Sequence, residues 1–169
     1  LSAALLVPGS RVVAQRISPL GWLAVVESES VPFRYAPGMS LQCRSEPPAQ
    51  LGVFVDGDSM SPITRYDGGP APLAFLDCLT SSLPFHLLRS PRVLVLGAGG
   101  GMDVLMARTL GAQSVDAVEL DPNMISLVRD TFGKYSGSLY GDEKVRVHAA
   151  EARSFLSKSE ESFDLIQVS

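Results

Sequence analysis

The residues best suited to chemistry are three glycines and one acid. Gly97, Gly99 and Gly101 lie in VLVLGAGGGMD (93–103), and Glu119 falls near the end of VDAVEL (115–120). Glycines lack Cβ atoms, so the backbone can turn there with positive φ and a ligand can lie against it. Free N–H groups at the start of the following helix would suit an anionic or polar group. Glu119 follows the first glycine at about twenty residues, the distance at which a βαβ nucleotide-binding unit places an acid to accept hydrogen bonds from both ribose hydroxyls. The sixth loop position is Met102, where a dinucleotide fingerprint requires a small residue for close packing around a pyrophosphate. NAD and FAD are therefore disfavoured.

These residues need an alternating α/β frame to hold them. Val93 to Leu96 is an unbroken apolar run, as expected of a strand buried on both faces of a parallel sheet. Met102 to Leu110 reads as a helix closed by Gly111. Asp121 caps a further helix with Pro122 in its first turn and Met124, Ile125, Leu127, Val128 and Phe132 on its buried face. Val145 to Ala149 and Phe163 to Val168 read as third and fourth strands, with the loop Tyr135 to Glu143 before the third. Upstream, Arg11 to Ile17 and Trp22 to Val26 predict a hairpin, followed by strand candidates Met39 to Gln42, Leu51 to Val55 and, after the Asp56-Gly57 turn, Ile63 to Tyr66. Asp67-Gly68-Gly69-Pro70 is the linker candidate. Leu73, Phe75, Leu76, Cys78, Leu79 and Leu83 then mark an amphipathic helix stopped near Pro84. The expected domains are a small antiparallel β domain at 1–69 and a Rossmann-like nucleotide-binding domain at 70–169.

Composition narrows the function classes. The chain of 169 residues is 46% hydrophobic and 19% charged, with a net charge of −4, so it carries no basic stripe for nucleic acid. No apolar run approaches the roughly 18 residues that cross a bilayer. Cys43 and Cys78 have no CxxC or His partner at metal spacing, which predicts reduced structural thiols, a cytoplasmic location and no metal. His86 and His148 lack the nucleophile and orienting acid that hydrolytic catalysis needs. The chain starts at Leu1, so a larger unit is expected, and a membrane segment outside it and a homodimer are left open.

The G-x-G-x-G loop resembles that of class I S-adenosylmethionine-dependent transferases. Within that superfamily the chain resembles the spermidine synthase (polyamine aminopropyltransferase) family, through LGVFVDGD (51–58), VLVLGAGGG, VDAVELDP, VRVHAAEARSFL and FDLIQVS in that order. The resemblance implies a methyltransferase-type parallel sheet, here of about four strands in the order 3-2-1-4 and incomplete. It implies decarboxylated S-adenosylmethionine as donor and a small di- or polyamine as acceptor. The glycines would lie at the donor's methionine-derived tail, Glu119 at its ribose, and Glu151 with the Ala152 amide at adenine. The Tyr135–Glu143 loop would cover the donor pocket.

Departures from the family pattern bear on substrate and catalysis. The family carries an acid within the glycine loop, where this chain has Gly100; Asp103 is the candidate substitute. The usual catalytic Asp matches Ser169, leaving the catalytic base unassigned, and the Tyr and acid of the first helix match Phe75 and Asp77. Aminopropyl transfer is the leading expectation. A small-molecule methyltransferase using S-adenosylmethionine and a degenerate, non-catalytic nucleotide-binding domain are the alternatives.

Overall fold

The computed structural model describes residues 5–69 and 71–169. Two four-stranded sheets organise them. In the first, β1 (Ser10–Ser18), β2 (Gly21–Ser28), β3 (Gln50–Val55) and β4 (Asp58–Thr64) pair antiparallel in chain order. Asp56 and Gly57, at φ 50° and 82°, make the two-residue turn between β3 and β4. The Asp56 carboxylate also accepts from the Trp22 N–H at 2.9 Å, which ties that turn to the start of β2. Pro62 lies in β4, an edge strand, where its missing N–H disturbs no inner ladder.

The second sheet is parallel and holds β5 (Arg92–Leu96), β6 (Ser114–Glu119), β7 (Val145–Ala149) and β8 (Leu165–Val168) in the order β7-β6-β5-β8. This is the 3-2-1-4 arrangement expected from the strand pattern, in the α/β fold of class I methyltransferase type. Helix α2 (Met102–Thr109) follows β5, and α3 (Pro122–Ser126) follows β6 and runs on as a π turn over Leu127–Thr131. As expected, the Asp121 carboxylate caps α3, accepting from the Asn123 N–H at 2.9 Å. Helix α4 (Ala152–Lys158) joins β7 to β8. One continuous apolar core runs from Leu23, Val25, Val53 and Ile63 through Leu73, Phe75 and Leu76 to Val93, Val95, Val104 and Met106.

Three expectations are corrected. The segment between the sheets is not one amphipathic helix ending at Pro84 but a 3-10 segment (Ala71–Cys78), a 3-10 turn (Thr80–Ser82) and a short helix α1 (Leu83–Leu87) that Pro84 helps to open. Proline has no N–H to satisfy and a φ already suited to the first helical turn, so it starts this helix instead of stopping one. Met39 to Gln42 is no strand; Met39 makes an isolated bridge with Leu79. Cys43 and Cys78 are not free thiols: they are joined by a disulfide, Cα to Cα 5.8 Å, that fastens the 39–49 loop to the end of the first 3-10 segment. Their sequence separation of 35 could not disclose this, because pairing depends on how the folded chain brings the two Cβ atoms together. The bridge also removes the reduced-thiol argument for a cytoplasmic location. No helix of the described residues is long and apolar enough to cross a membrane.

Candidate functional site

From β5 the chain winds outward to β6 and β7 and then returns to the other side of β5 as β8, so β5 and β8 flank the point where connections diverge. A crevice at the carboxyl ends of the strands is the place where folds of this type bind ligands. A cavity of about 810 Å³ opens there, and Gly97, Gly99, Asp103, Glu119, Gln167 and Ser169 are among its lining residues. Ser61 and Pro62 of β4 also line it, as do Tyr35, Gly38 and Thr80.

The glycine loop is braced from three directions. Gly97, Gly99 and Gly101 all have positive φ, at 79°, 51° and 91°. Within the loop itself, the N–H groups from 97 to 101 are all partnered in the protein, ahead of the helix start at Met102. Gly97 and Ala98 both donate to the Val118 carbonyl, at 2.9 and 3.0 Å, and Gly101 donates to the Ala98 carbonyl at 2.9 Å. Gly99 donates to Glu119 Oε2 and Gly100 to Ser61 Oγ, each at 2.8 Å. From below, the buried Tyr140 hydroxyl donates to the Gly99 carbonyl at 2.9 Å. Burial raises the Tyr140 pKa strongly, with the Glu119 charge adding to it, so the phenol keeps the proton it donates.

The position of Gly100 explains the loop's departure from the family pattern. A Cβ there would overlap the carbonyl oxygen of Pro62, which is backbone and cannot step aside. β4 occupies the space that an acidic side chain would need. Ser61 and Tyr140, both missed in the sequence reading, thus set the loop's shape. The VDGD turn placed β4 beside the loop, but nothing in the sequence singled out either hydroxyl.

Glu119 is held at both oxygens, accepting from Gly99 at 2.8 Å and from Asp121 N–H at 2.9 Å. Two backbone amides fix the carboxylate before any ligand arrives, and each oxygen has a further acceptor direction. Asp103, on the first turn of α2, is only 8% exposed. Burial raises its carboxyl pKa, opposed by hydrogen bonds from Ser169 and Gln167. Gln167 Nε2 donates to Asp103 Oδ1 at 2.6 Å, a partner absent from the sequence reading. Ser169 is anchored through its N–H to the Leu96 carbonyl at 3.0 Å and lines the cavity.

Other candidate residues lie outside the cavity lining. Glu151 caps α4, accepting from Arg153 and Ser154 N–H groups at 3.0 and 2.8 Å, and these bonds lower its pKa. The Ala150 N–H donates to the Glu119 carbonyl at 3.0 Å, so Glu151 and Ala152 begin α4 one strand across from Glu119. Asp77 pairs with His86 Nε2 at 2.8 Å beside the disulfide, and Phe75 is buried in the core. The 135–143 loop packs beneath the glycine loop through Leu139 and Tyr140 instead of lining this cavity. His148, read as lacking an orienting acid, has one: Asp116 Oδ1 lies 2.7 Å from its Nε2, and Asp116 also binds Arg146 at 2.7 Å. Asp116 and His148 line a separate concavity of about 480 Å³ beside α4. Among the described residues no group of three or more His, Cys, Asp or Glu is placed to hold a metal ion.

Fold and crevice together define a class I methyltransferase-like α/β domain with an attached antiparallel sheet. The spermine/spermidine synthase domain model matches residues 80–169, more than half of the chain, and the chain belongs to that family. Polyamine aminopropyltransferase 2 of Bacillus anthracis is 35% identical over 95 residues, which cover 53% of this chain and 26% of the relative. The polyamine aminopropyltransferase of Buchnera aphidicola subsp. Schizaphis graminum is 32% identical over 75 residues, 44% of this chain and 26% of the relative. The chain thus spans about a quarter of the length of these curated relatives in the matched region. Among solved structures, spermidine synthase from Thermotoga maritima superposes with a TM-score of 0.60 at 18% identity, covering 94% of this chain and 46% of that one. A spermidine synthase in complex with the transition state analogue AdoDATO matches equally, and both support the fold.

Proposed function

We propose that the crevice binds an adenosyl sulfonium donor and that the full protein transfers an aminopropyl group from decarboxylated S-adenosylmethionine to a di- or polyamine. The observation that carries this reading is Glu119, immobilised by two amides at the divergence point beside a cavity that also holds a buried acid. Glu119 would accept from the ribose hydroxyls, and Gly97 and Gly99 would border the tail, with Gly101 turned toward Leu139 and Tyr140 beneath the loop. Glu151 and the Ala152 amide would meet adenine at the mouth between β6 and β7.

Transfer would be an in-line displacement. The amine lone pair attacks the propyl carbon next to sulfur, the C–S bond breaks toward the positive sulfur, and a neutral thioether leaves. The protein's part is mainly alignment. Ser169 offers a hydroxyl at the crevice, a weak proton acceptor, and this reading assigns the base to no residue of the sequence. The disulfide supports a setting oxidising enough to preserve it.

The test is the by-product. Incubation of the full-length protein with decarboxylated S-adenosylmethionine and a diamine should release methylthioadenosine, detected by mass spectrometry, only when the amine is present. Release of S-adenosylhomocysteine from the carboxylated donor, with no methylthioadenosine from the other, would identify a methyltransferase instead.

A further inference from the structure

We propose that Asp103 and Gln167 together form an ammonium-selective subsite for the donor's tail, displaced from the glycine loop onto α2 and β8. The proposal rests on the donor-site reading above and assigns the discrimination between an aminopropyl and an amino-carboxypropyl tail to these two side chains.

The sequence places Gln167 in an otherwise apolar strand, LIQV. Period-2 alternation sends Leu165 and Gln167 toward α2, while Ile166 and Val168 stand exposed on the other face. Gln167 therefore sits where an apolar side chain would pack, and it spends its amide N–H on Asp103. That assignment leaves its Oε1 buried with no hydrogen-bond partner among the described residues. Rotating the amide does not relieve this, because it would turn the carbonyl oxygen onto the Asp103 carboxylate. Such an orphaned acceptor asks for an explanation, as buried polar atoms are nearly always paired.

Asp103 compounds the excess. Its carboxylate is buried, receives one neutral amide and a hydroxyl, and has no cationic side chain paired with it among the described residues. Two neighbouring residues that line the same cavity thus present more acceptor capacity than the protein satisfies. The complement is a compact group with several N–H donors and positive charge. A primary ammonium has three donors and one charge; a carboxylate at these two side chains would meet the Asp103 charge and the Gln167 lone pairs. The glycine loop, whose amides from 97 to 101 are all partnered, supplies no donor to compensate a carboxylate tail. At Gly100 the Pro62 carbonyl excludes an acid from the loop itself, so the acceptors come from the helix and strand that flank it.

The test compares four adenosine thioethers by calorimetry on the full-length protein: methylthioadenosine, propylthioadenosine, S-adenosyl-3-thiopropylamine and S-adenosylhomocysteine. The propylamine compound should bind at least about tenfold tighter than its propyl counterpart, the increment expected of a charge-assisted contact, and tighter than S-adenosylhomocysteine. Asp103→Asn and Gln167→Leu should each remove most of that preference and leave methylthioadenosine affinity within about twofold, which also shows that the variants fold. No binding of any of the four would overturn the donor-site reading and this proposal with it. Normal methylthioadenosine binding with no ammonium preference, or a preference that survives Asp103→Asn, overturns the subsite alone.

Discussion

The glycine loop and the Asp103–Gln167 corner sit on the same cavity, yet their polar groups are treated in opposite ways. From 97 to 101 each loop amide has a partner within the protein, drawn from Val118, Glu119, Ser61 or Ala98. At the corner a buried carboxylate and a buried amide oxygen exceed the donors offered to them. A satisfied region holds its shape without help, whereas an unsatisfied one is stabilised by what it binds. In the proposed reading the loop sets shape and the corner selectivity, and Glu119 belongs to both, bracing Gly99 and keeping acceptor directions for a ligand.

Glu119 gives the largest expected effect. In the proposed donor complex Glu119→Ala removes charge-assisted bonds to two ribose hydroxyls, each worth about 1.5 to 3 kcal/mol, and it loosens Gly99 at the same time. Methylthioadenosine binding measured by calorimetry should fall by about a hundredfold or more. Asp116→Ala should leave that affinity nearly unchanged and lower the melting temperature instead, since Asp116 holds Arg146 and His148. Equal losses of affinity in the two variants would break the division between loop and scaffold.

Next is Gly100→Asp, which restores the acid of the family pattern. With the Pro62 carbonyl in its path, the new side chain should destabilise the fold by about 1 to 3 kcal/mol and weaken donor binding. A variant that melts normally and gains ammonium preference would show that β4 does not exclude an acid from the loop.

Tyr140→Phe should be milder. It takes away one buried hydrogen bond and leaves the Gly99 carbonyl without that donor, at about 1 to 2 kcal/mol in denaturant melts, with a modest loss of affinity.

The smallest effect sharpens the corner. Burial raises the Asp103 pKa, so ionising it opposes folding. The penalty is absent below pH about 4, where the carboxyl is protonated in folded and unfolded chains alike, and grows as pH rises through the raised folded value. Asp103→Asn should accordingly gain stability over the wild type near neutral pH and lose that advantage in acid, visible as converging melting curves. An advantage that instead widened toward acid would mean that the carboxylate is stabilised, not strained, where it lies.

Much of this was legible in residue order because it is local. The run Val93–Leu96, the glycines after it, Asp121 before Pro122, and the Asp56-Gly57 turn each carry their structural instruction within a few residues, through backbone sterics, capping and apolar period. Parallel pairing in the order β7-β6-β5-β8 follows from that alternation and from the handedness of its crossovers. Glu119 could be anticipated because its distance from the loop is set by one helix and one strand.

What the tertiary structure alone decided depends on approaches between segments far apart in the chain. Ser61 meets Gly100, Tyr140 meets Gly99, Gln167 meets Asp103, and Cys43 meets Cys78. None of these pairs has a periodicity or spacing that announces it. Each exists because the two sheets share one core, which presses β4 and the 135–143 loop against the glycine loop and aligns β8 with α2. Residue types in the sequence determined that a crevice bordered by glycines and an acid could form at the strand ends; packing decided which hydroxyls brace it, why Gly100 must stay bare, and where the unspent acceptors lie.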